Sequence, residues 1–233
     1  MSAPDDPNTA AWQSDAQEFV AECEEAPWSD VGAKALAHLR EKRGLVDETV
    51  RAWRLGYWHG DGKIGGWWRG RFVCRGIVIP WLVSGGAVWR VKIRRPLPGR
   101  VKSRYASFPG ARPGPGLFGV DKLTGKPDRI VAEGEFDTML LWQEVGDLAD
   151  AFTLGAACAA LDDRWLPALL SAVRFWIATD NDKRGAAAAK YWLDLVGERG
   201  KRVLPPGGAK DVGDARQVCA GLRAWAMEFL PLP

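Results

Sequence analysis

The sequence has few histidines and cysteines, and this shortage excludes the usual zinc-binding motifs. Its 233 residues include two histidines and four cysteines, and no two cysteines form a C-x-x-C pair. A structural zinc site takes its ligands from short, clustered spacings. We therefore expect no zinc in this protein and interpret the cysteines as scattered buried thiols.

Long apolar runs are also missing from the chain. A helix that crosses a bilayer needs about 20 consecutive apolar residues, and no run approaches that length. The first residues, MSAPDDPNTA, are acidic, whereas a signal peptide begins with a basic and then an apolar region. We expect no membrane partner and predict a cytoplasmic protein.

The net charge is small, at +3, but the charges are unevenly distributed along the chain. Residues 1–30 carry eight acidic side chains and no Lys or Arg, whereas residues 31–112 carry eighteen Lys and Arg against four Asp and Glu. A basic segment followed by a more acidic half favours polyanion binding by the first part and metal binding by the second. A solvated basic surface would have the same composition, so charge alone does not decide between the two.

The pattern of apolar residues predicts helices first and short strands after them. We predict helices within residues 11–28, 33–43 and 45–55. The apolar residues near one face of the first helix are Trp12, Ala16, Phe19, Val20 and Cys23. Further along, β-rich runs separated by Gly pairs predict two antiparallel strands around residues 84–86.

From residue 129 onward, strands and helices alternate with short connections, which predicts a parallel sheet covered by helices. Ligands of such sheets bind at the carboxyl ends of the strands. The acids that follow three predicted strands are Glu133 with Asp137, Asp180 with Asp182, and Asp211 with Asp214. Carboxylates at one sheet edge repel each other unless a cation lies among them, and Mg²⁺ prefers oxygen ligands. One cluster alone is typical of a solvated turn, but three in this order predict a divalent metal site.

Two glycines lie beside these acids. Glycine permits backbone conformations and close approaches that a Cβ atom would forbid. We expect Gly134 to allow a tight turn after Glu133, and Gly185 to let the helix after Asp182 begin close to the site.

Four segments of this region resemble the characteristic segments of TOPRIM domains, which occur in DnaG-type primases, type IA and type II topoisomerases, OLD nucleases and RecR. The segments are, in order, EGEFD, TLGA, ATDNDKRGAAAA and LPPGGAKDVGDA. The resemblance covers about residues 129–215 and implies Glu133 as the metal-associated acid–base residue, with Asp180 and Asp182 as metal ligands. It implies that three further acids belong to the metal site: Asp137, Asp211 and Asp214. Asn181 stands where DnaG proteins usually carry Gly, and KDVGD is one residue longer than their usual KDPD.

The rest of the chain narrows the choice among TOPRIM proteins. Topoisomerases use a tyrosine nucleophile and a large clamp, for which we expect this chain to be too short. RecR-like proteins carry a zinc motif, and OLD nucleases join an ATPase with a G-x-x-x-x-G-K-[ST] loop to their TOPRIM domain. Neither motif occurs in the sequence. A primase and an orphan TOPRIM nuclease remain.

Segments of the basic region are similar to the polymerase core of DnaG-type primases. They are HLREKRGLVDETVRAWRLGY, CRGIVIPW, AVWRVKIRRPL, SRYAS and GLFGVDK, which extend the resemblance over about residues 33–215. The resemblance implies a DNA-directed RNA polymerase of primase type, which makes short RNA primers on single-stranded DNA by metal-dependent nucleotidyl transfer. Two alternatives stay open: a nuclease that uses the same carboxylates, and a non-catalytic nucleic-acid-binding protein.

Anionic substrates would require basic side chains, because Lys and Arg contact phosphates and Arg adds bidentate geometry. The candidates for nucleotide and nucleic-acid binding are Arg75, Arg94, Lys102, Arg104, Arg112 and Lys210. Four tryptophans lie in the basic region and either stack on unpaired bases or pack in a core: Trp67, Trp68, Trp81 and Trp89.

The predicted architecture is an α/β fold with a TOPRIM Rossmann-like parallel sheet flanked by helices, preceded by a smaller basic α+β subdomain. The predicted segments are an acidic, partly helical extension (1–30), the basic subdomain (31–122), the TOPRIM domain (123–215) and a C-terminal helix and tail (216–233). The expected cofactor is Mg²⁺ or Mn²⁺. The resemblance implies a single-stranded DNA template, ribonucleoside triphosphates and an RNA primer as partners. DnaG proteins also have zinc-binding and helicase-binding domains that we do not find, so a separate zinc-binding subunit, a replicative helicase and a phage or mobile-element origin are further expectations.

Overall fold

The computed structural model describes residues 9–96, 103–111, 114–169, 171–216 and 221–231. The chain divides into two compact units, one up to Gly114 and one from Pro115. The boundaries predicted at residues 30 and 122 do not coincide with this division, and the predicted segments remain untested. Within the described ranges, no helix is both long enough and apolar enough to span a bilayer.

The first unit combines helices with antiparallel strands. Its helices and strands are α1 (Ala10–Glu24), α2 (Ala33–Ala37), α3 (Asp47–Ala52), β1 (Gly56–Trp58), β2 (Gly65–Trp68), β3 (Arg71–Cys74), β4 (Gly76–Leu82), β5 (Val88–Arg94) and β6 (Tyr105–Ser107). A π-helical turn, His38–Lys42, continues α2. One antiparallel sheet has the order β1-β4-β5-β6, and β2 pairs with β3 in a separate ribbon. The pair of antiparallel strands predicted around residues 84–86 is confirmed by β4 and β5.

Helix α1 contributes the centre of the first unit's core. It begins after Thr9, whose hydroxyl accepts the backbone N–H of Trp12 at 3.2 Å. The residues it buries are those predicted from the apolar pattern: Trp12, Ala16, Phe19, Val20 and Cys23. The ring of Phe19 stacks on Phe108 with 4.6 Å between ring centroids and meets Trp68 edge-on at 5.5 Å. Helix α1 is therefore anchored to the core through this face.

The tryptophans of the basic region separate into two groups. Trp68, Trp81 and Trp89 are buried, so their role is core packing. Trp67 lies on β2 with 68% of its surface exposed, where it makes an edge-on contact with Phe72 of β3. Of these four described tryptophans, Trp67 alone exposes a ring surface for stacking.

The second unit is built on a parallel sheet. Its strands and helices are β7 (Asp128–Ala132), α4 (Glu135–Val145), β8 (Asp150–Phe152), α5 (Leu166–Leu169), β9 (Arg174–Ala178), α6 (Lys183–Val196), β10 (Gly200–Arg202), α7 (Val212–Ala215) and α8 (Leu222–Met227). The strands have the order β10-β9-β7-β8, and all pairs are parallel. The predicted α/β class, with a helix-flanked parallel sheet after an antiparallel part, is confirmed.

Ion pairs hold the amino-terminal end of this sheet. Arg129 and Asp150, which are both buried, form a salt bridge between β7 and β8. Asp128 accepts hydrogen bonds from Arg174 at 2.7 Å and from the indole N–H of Trp176 at 2.8 Å. Burial alone would raise the pKa of Asp128, but these two donors outweigh it and lower the pKa below its usual value. Paired charges thus stabilise one end of the sheet, and the acids of the predicted site lie at the other.

The cysteines are only partly as expected. Cys23 is buried, and its desolvated thiol has a pKa far above the usual value. Cys74 is half-buried and Cys158 is exposed. The interpretation of all four cysteines as buried thiols is therefore wrong for Cys158, and Cys219 lies outside the described residues.

Candidate active site at the carboxyl ends of the parallel strands

Glu133 and Asp180 meet at the carboxyl ends of two neighbouring strands. Glu133 directly follows β7, and Asp180 follows β9 after Thr179. Because β7 and β9 pair in parallel, their ends lie side by side. The carboxylate of Glu133 accepts the backbone N–H of Asp180 at 3.2 Å. The two residues that were predicted to share a site are therefore in direct contact.

Lys210 joins the third acidic segment to this pair. Its ammonium lies 2.8 Å from a carboxylate oxygen of Asp180 and 3.9 Å from one of Asp211. The backbone carbonyl of Lys210 also accepts the N–H of Asn181 at 2.7 Å. The sequence predicted Lys210 as a nucleic-acid-binding residue, and its contact with Asp180 was missed, because no local pattern links positions this far apart.

Asp182 has a structural role beside its predicted catalytic one. Its side-chain Oδ1 accepts the backbone N–H groups of Arg184 at 2.8 Å and Gly185 at 2.9 Å, and it thereby caps the amino terminus of α6. These hydrogen bonds lower the pKa of Asp182 below its usual value. The carboxylate therefore remains charged, and within the described ranges no hydrogen bond occupies its other oxygen.

The two glycines of the site have different roles. A Cβ atom at Gly185 would lie 1.9 Å from the backbone oxygen of Asp180, so only glycine fits and the expectation for this position is confirmed. Gly134 has φ −131° and ψ 168°, an extended conformation open to any residue. A Cβ there would make only an ordinary contact, 3.5 Å from Asp137. The prediction that Gly134 is needed for a tight turn is therefore wrong.

The remaining acids lie in α4 and at the start of α7. Asp137 accepts the backbone N–H of Gly213 at 3.1 Å, and this bond connects α4 to the first turn of α7. Asp211 caps α7 by accepting the N–H of Asp214 at 2.7 Å. Asp214 is exposed, and within the described part of the chain no hydrogen bond or ion pair joins its carboxylate to the other acids. Asp137 and Asp211 thus border the central pair, whereas Asp214 is peripheral.

The electrostatics of the central pair favour an added positive charge. Burial raises the pKa of Glu133, and the carboxylate of Asp180 raises it further. Burial also raises the pKa of Asp180, although the ammonium of Lys210 opposes that rise. The described residues contain no group of three or more His, Cys, Asp or Glu side chains arranged to hold a metal ion. The oxygen donors fit the chemistry of Mg²⁺, but in this structure Lys210 provides the positive charge at Asp180.

Two of the predicted basic residues line a cavity in the first unit. The cavity has a volume of about 620 Å³, and Arg94 and Arg104 lie on its wall. Further lining residues that the sequence analysis missed include Lys34, His38, Tyr57 and Arg95. The Arg94-Arg95 pair at the end of β5 was a possible signal for Arg95. Lys34 and His38 come from α2 and the π-helical turn, and only tertiary packing brings them to the cavity.

Arg75, another predicted basic residue, is not among the residues that line this cavity. The guanidinium of Arg75 donates to the backbone oxygen of His59 at 2.6 Å. Lys102 and Arg112 lie outside the described residues.

The pKa of His38, which lines the cavity, is lowered below its usual value, first by burial and then by the charges of Arg43 and Arg94. This cavity therefore favours an anion over a further cation.

The helix-flanked parallel sheet makes this chain an α/β protein, and the carboxylates at the carboxyl ends of its strands form an acidic site. More particularly, the chain has the fold of the RNA polymerase domain of DnaG-type primases. The RNA polymerase domain of Mycobacterium tuberculosis primase DnaG matches with a TM-score of 0.72 and 18% identity, over 95% of this chain and 83% of that one. A DNA primase domain from Pseudomonas aeruginosa matches with a TM-score of 0.66 and 20% identity, over 88% and 74% of the two chains.

A third similar structure is a DnaG primase catalytic domain bound to single-stranded DNA. It matches with a TM-score of 0.64 and 17% identity, over 92% of this chain and 78% of that one. No family model matches the sequence, and no curated protein is significantly similar to it. At these identities the likeness is one of fold, and function has to be argued from the site.

Proposed function

We propose that this chain is the catalytic core of a DnaG-like primase, which synthesises short RNA primers on single-stranded DNA by metal-dependent nucleotidyl transfer. The observation that carries the proposal is the contact between Glu133 and Asp180 at the strand ends of a primase-type fold. Paired carboxylates at this position of a parallel sheet suit phosphoryl chemistry, in which a cation bridges protein and phosphate oxygens.

Three acids would hold the catalytic Mg²⁺ or Mn²⁺: Glu133, Asp180 and Asp182. Asp137 and Asp211 border them and would supply further oxygen ligands, whereas Asp214 is peripheral and would not bind the metal. When bound, the metal would orient the triphosphate and stabilise the charge that develops on the transferred phosphoryl group. Lys210 contacts Asp180 at 2.8 Å, and a bound cation or a phosphate would compete for this contact.

The basic cavity of the first unit would bind the anionic partners of the reaction. Arg94 and Arg104 offer guanidinium groups, which bind phosphates through two parallel hydrogen bonds. A similar DnaG catalytic domain is bound to single-stranded DNA, which supports such DNA as the template of this chain. Ribonucleoside triphosphates and an RNA primer follow from the proposed reaction, and a helicase or a separate zinc-binding subunit is the expected further partner.

A synthesis assay tests the proposal directly. The protein is incubated with single-stranded DNA, four ribonucleotides and Mg²⁺ or Mn²⁺, with and without a pre-annealed RNA primer that removes the need for initiation. We expect template-dependent RNA, and we expect Glu133→Gln to abolish it while Glu198→Gln, a change on an exposed residue remote from the acids, does not.

The alternatives have distinct outcomes in the same assay. Shortened DNA without new RNA would identify a nuclease. DNA binding that is unchanged in Glu133→Gln, without synthesis or cleavage by the parent protein, would identify a non-catalytic binding protein. Either result contradicts the primase proposal.

A further inference from the structure

A second cavity lies beside the acidic site, entirely within the second unit. It has a volume of about 790 Å³, and Glu133 forms part of its wall. Its other lining residues are 156–160, which follow β8, and three residues of α6: Arg184, Ala187 and Tyr191. Volumes of this size are typical of small-molecule sites, which span roughly 300–1,000 Å³.

The walls of this cavity suit a flat, largely apolar group. Residues 156–160 are Ala-Ala-Cys-Ala-Ala, so the loop presents only small side chains. The three lining residues of α6 are spaced three and four apart and therefore share one face of the helix. Arg184 contributes an exposed positive charge in the first turn, and Tyr191 contributes an aromatic ring further along.

Hydrogen bonds connect the loop both to α6 and to the acidic site. The hydroxyl of Tyr191 accepts the backbone N–H of Leu161 at 2.8 Å, which positions the aromatic ring against the end of the loop. The hydroxyl of Thr153 donates to the backbone oxygen of Glu133 at 3.0 Å and accepts the N–H of Gly155 at 2.9 Å. The cavity is thus built at a set position relative to the carboxylate of Glu133.

We infer that this cavity binds one nucleoside, with its base and ribose against residues 156–160 and Tyr191 and its phosphate directed toward Arg184 and the acids. The inference rests on the proposed function, because it deepens the same site. An aromatic ring and small apolar side chains bind any base face without sequence readout, as a template-directed enzyme requires. The nucleoside belongs either to an incoming ribonucleoside triphosphate or to the 3′ end of a primer.

Cys158 provides the test, because it is an exposed thiol on the cavity wall. Modification by a maleimide is followed at this residue by peptide mapping, in the presence of Mg²⁺. The dissociation constant of each ligand is first measured by equilibrium dialysis. At about ten times this concentration, a nucleoside triphosphate or a short oligoribonucleotide should slow the modification about tenfold. The ligand that protects Cys158 identifies the source of the nucleoside.

Inorganic tripolyphosphate is the control ligand, since it carries the phosphates without the nucleoside. Protection by tripolyphosphate equal to that by nucleotide would overturn the inference. So would the absence of protection by both nucleotide and oligoribonucleotide.

A matched pair of substitutions on α6 provides a second test. Ala187→Phe fills the cavity, whereas Ala186 is exposed on the same helix but does not line it. We expect Ala187→Phe to weaken nucleotide binding at least about tenfold, a change of about 1.4 kcal/mol, and Ala186→Phe to leave it unchanged. Both variants should keep their affinity for single-stranded DNA.

The outcomes separate this inference from the primase proposal. If nucleotide protects Cys158 in a protein that makes no RNA, the result supports nucleoside binding in the cavity and contradicts the proposed primase activity. Normal RNA synthesis and nucleotide binding by Ala187→Phe support the polymerase and overturn the cavity.

Discussion

At the scale of single residues, Asp182 combines two roles that a substitution can separate. Its carboxylate is a predicted metal ligand, and the same carboxylate caps α6. Asn caps a helix about as well as Asp, whereas Ala loses the cap at a cost of about 0.5–2 kcal/mol. Asn also lacks the negative charge that a metal ligand supplies.

We predict that Asp182→Asn and Asp182→Ala both abolish RNA synthesis, but that only Asp182→Ala lowers the free energy of unfolding by about 0.5–2 kcal/mol. Primer synthesis and urea denaturation followed by circular dichroism measure the two effects. Full activity of Asp182→Asn would remove this residue from the metal site.

His38 reports on the basic cavity. Burial and the charges of Arg43, Arg94 and Lys42 lower its pKa. As the pH falls, this histidine is therefore protonated in the unfolded chain at a higher pH than in the folded chain. Stability therefore decreases as the pH falls from about 6.5 to the lower pKa of the folded state, and this histidine has no further effect below that. Above about 6.5 the side chain is neutral in both states.

We predict that His38 titrates below about 6.5 in the folded protein and that inorganic tripolyphosphate raises its pKa, because a bound anion offsets the neighbouring cations. The chain has two histidines, so NMR spectra can resolve both imidazole rings, and His38→Gln assigns them. A His38 titration curve unaffected by tripolyphosphate at saturating concentration would contradict anion binding in this cavity.

At the scale of elements, the connection between β9 and α6 determines the geometry of the acids. The first turn of α6 approaches the end of β9 so closely that the backbone of Asp180 touches Gly185. The hydroxyl of Thr179 also donates to the backbone oxygen of Gly185 at 2.8 Å. A side chain at position 185 would have to move the residue that meets Glu133.

We predict that Gly185→Ala lowers the free energy of unfolding by about 1–3 kcal/mol, the usual cost of inserting a carbon into a packed position, and also impairs synthesis. Gly134→Ala is the matched control, since its backbone is extended and a Cβ has room. Its effect on stability should be smaller, limited to the weaker capping of α4 by Ala than by Gly. Equal stability of the two variants, measured by urea denaturation, would contradict the close approach.

At the scale of the whole molecule, a net charge of +3 conceals a strongly basic segment, residues 31–112. Part of that charge is neutralised locally, because Arg40 pairs with Asp47 at 2.6 Å. Arg94 and Arg104 line the basic cavity. DNA binding through them would release counterions from the strand, and affinity should therefore fall as salt increases.

We predict that the logarithm of the association constant for single-stranded DNA falls linearly with the logarithm of the salt concentration. The slope should be about −0.7 for each phosphate contacted, and Arg94→Ala should reduce its magnitude by about 0.7. Arg40→Ala is the control, because its guanidinium pairs with Asp47 and Arg40 does not line the cavity. Fluorescence anisotropy of a labelled oligonucleotide across a salt series measures both. A slope that changes in Arg40→Ala and not in Arg94→Ala would place the contact elsewhere.

Local patterns in the sequence determined much of the architecture. The spacing of apolar residues predicted the buried face of α1, and the alternation of strands and helices predicted the parallel sheet. Strand order then explains why Glu133 and Asp180 meet, since acids that follow adjacent parallel strands share one edge. The buried face of α1 and the alternation of elements follow from periodicity within short segments, which a sequence displays directly. The strand order does not.

Only the tertiary structure decided which distant residues meet. Lys210 contacts Asp180, Lys34 and His38 line a cavity with Arg94, and residues 156–160 line another cavity with α6. Such contacts depend on how turns and loops direct the chain between elements, and no period in the sequence encodes them. The sequence by itself therefore determined the elements and the acids at their ends, whereas packing decided the cation beside those acids and the cavity that opens next to them.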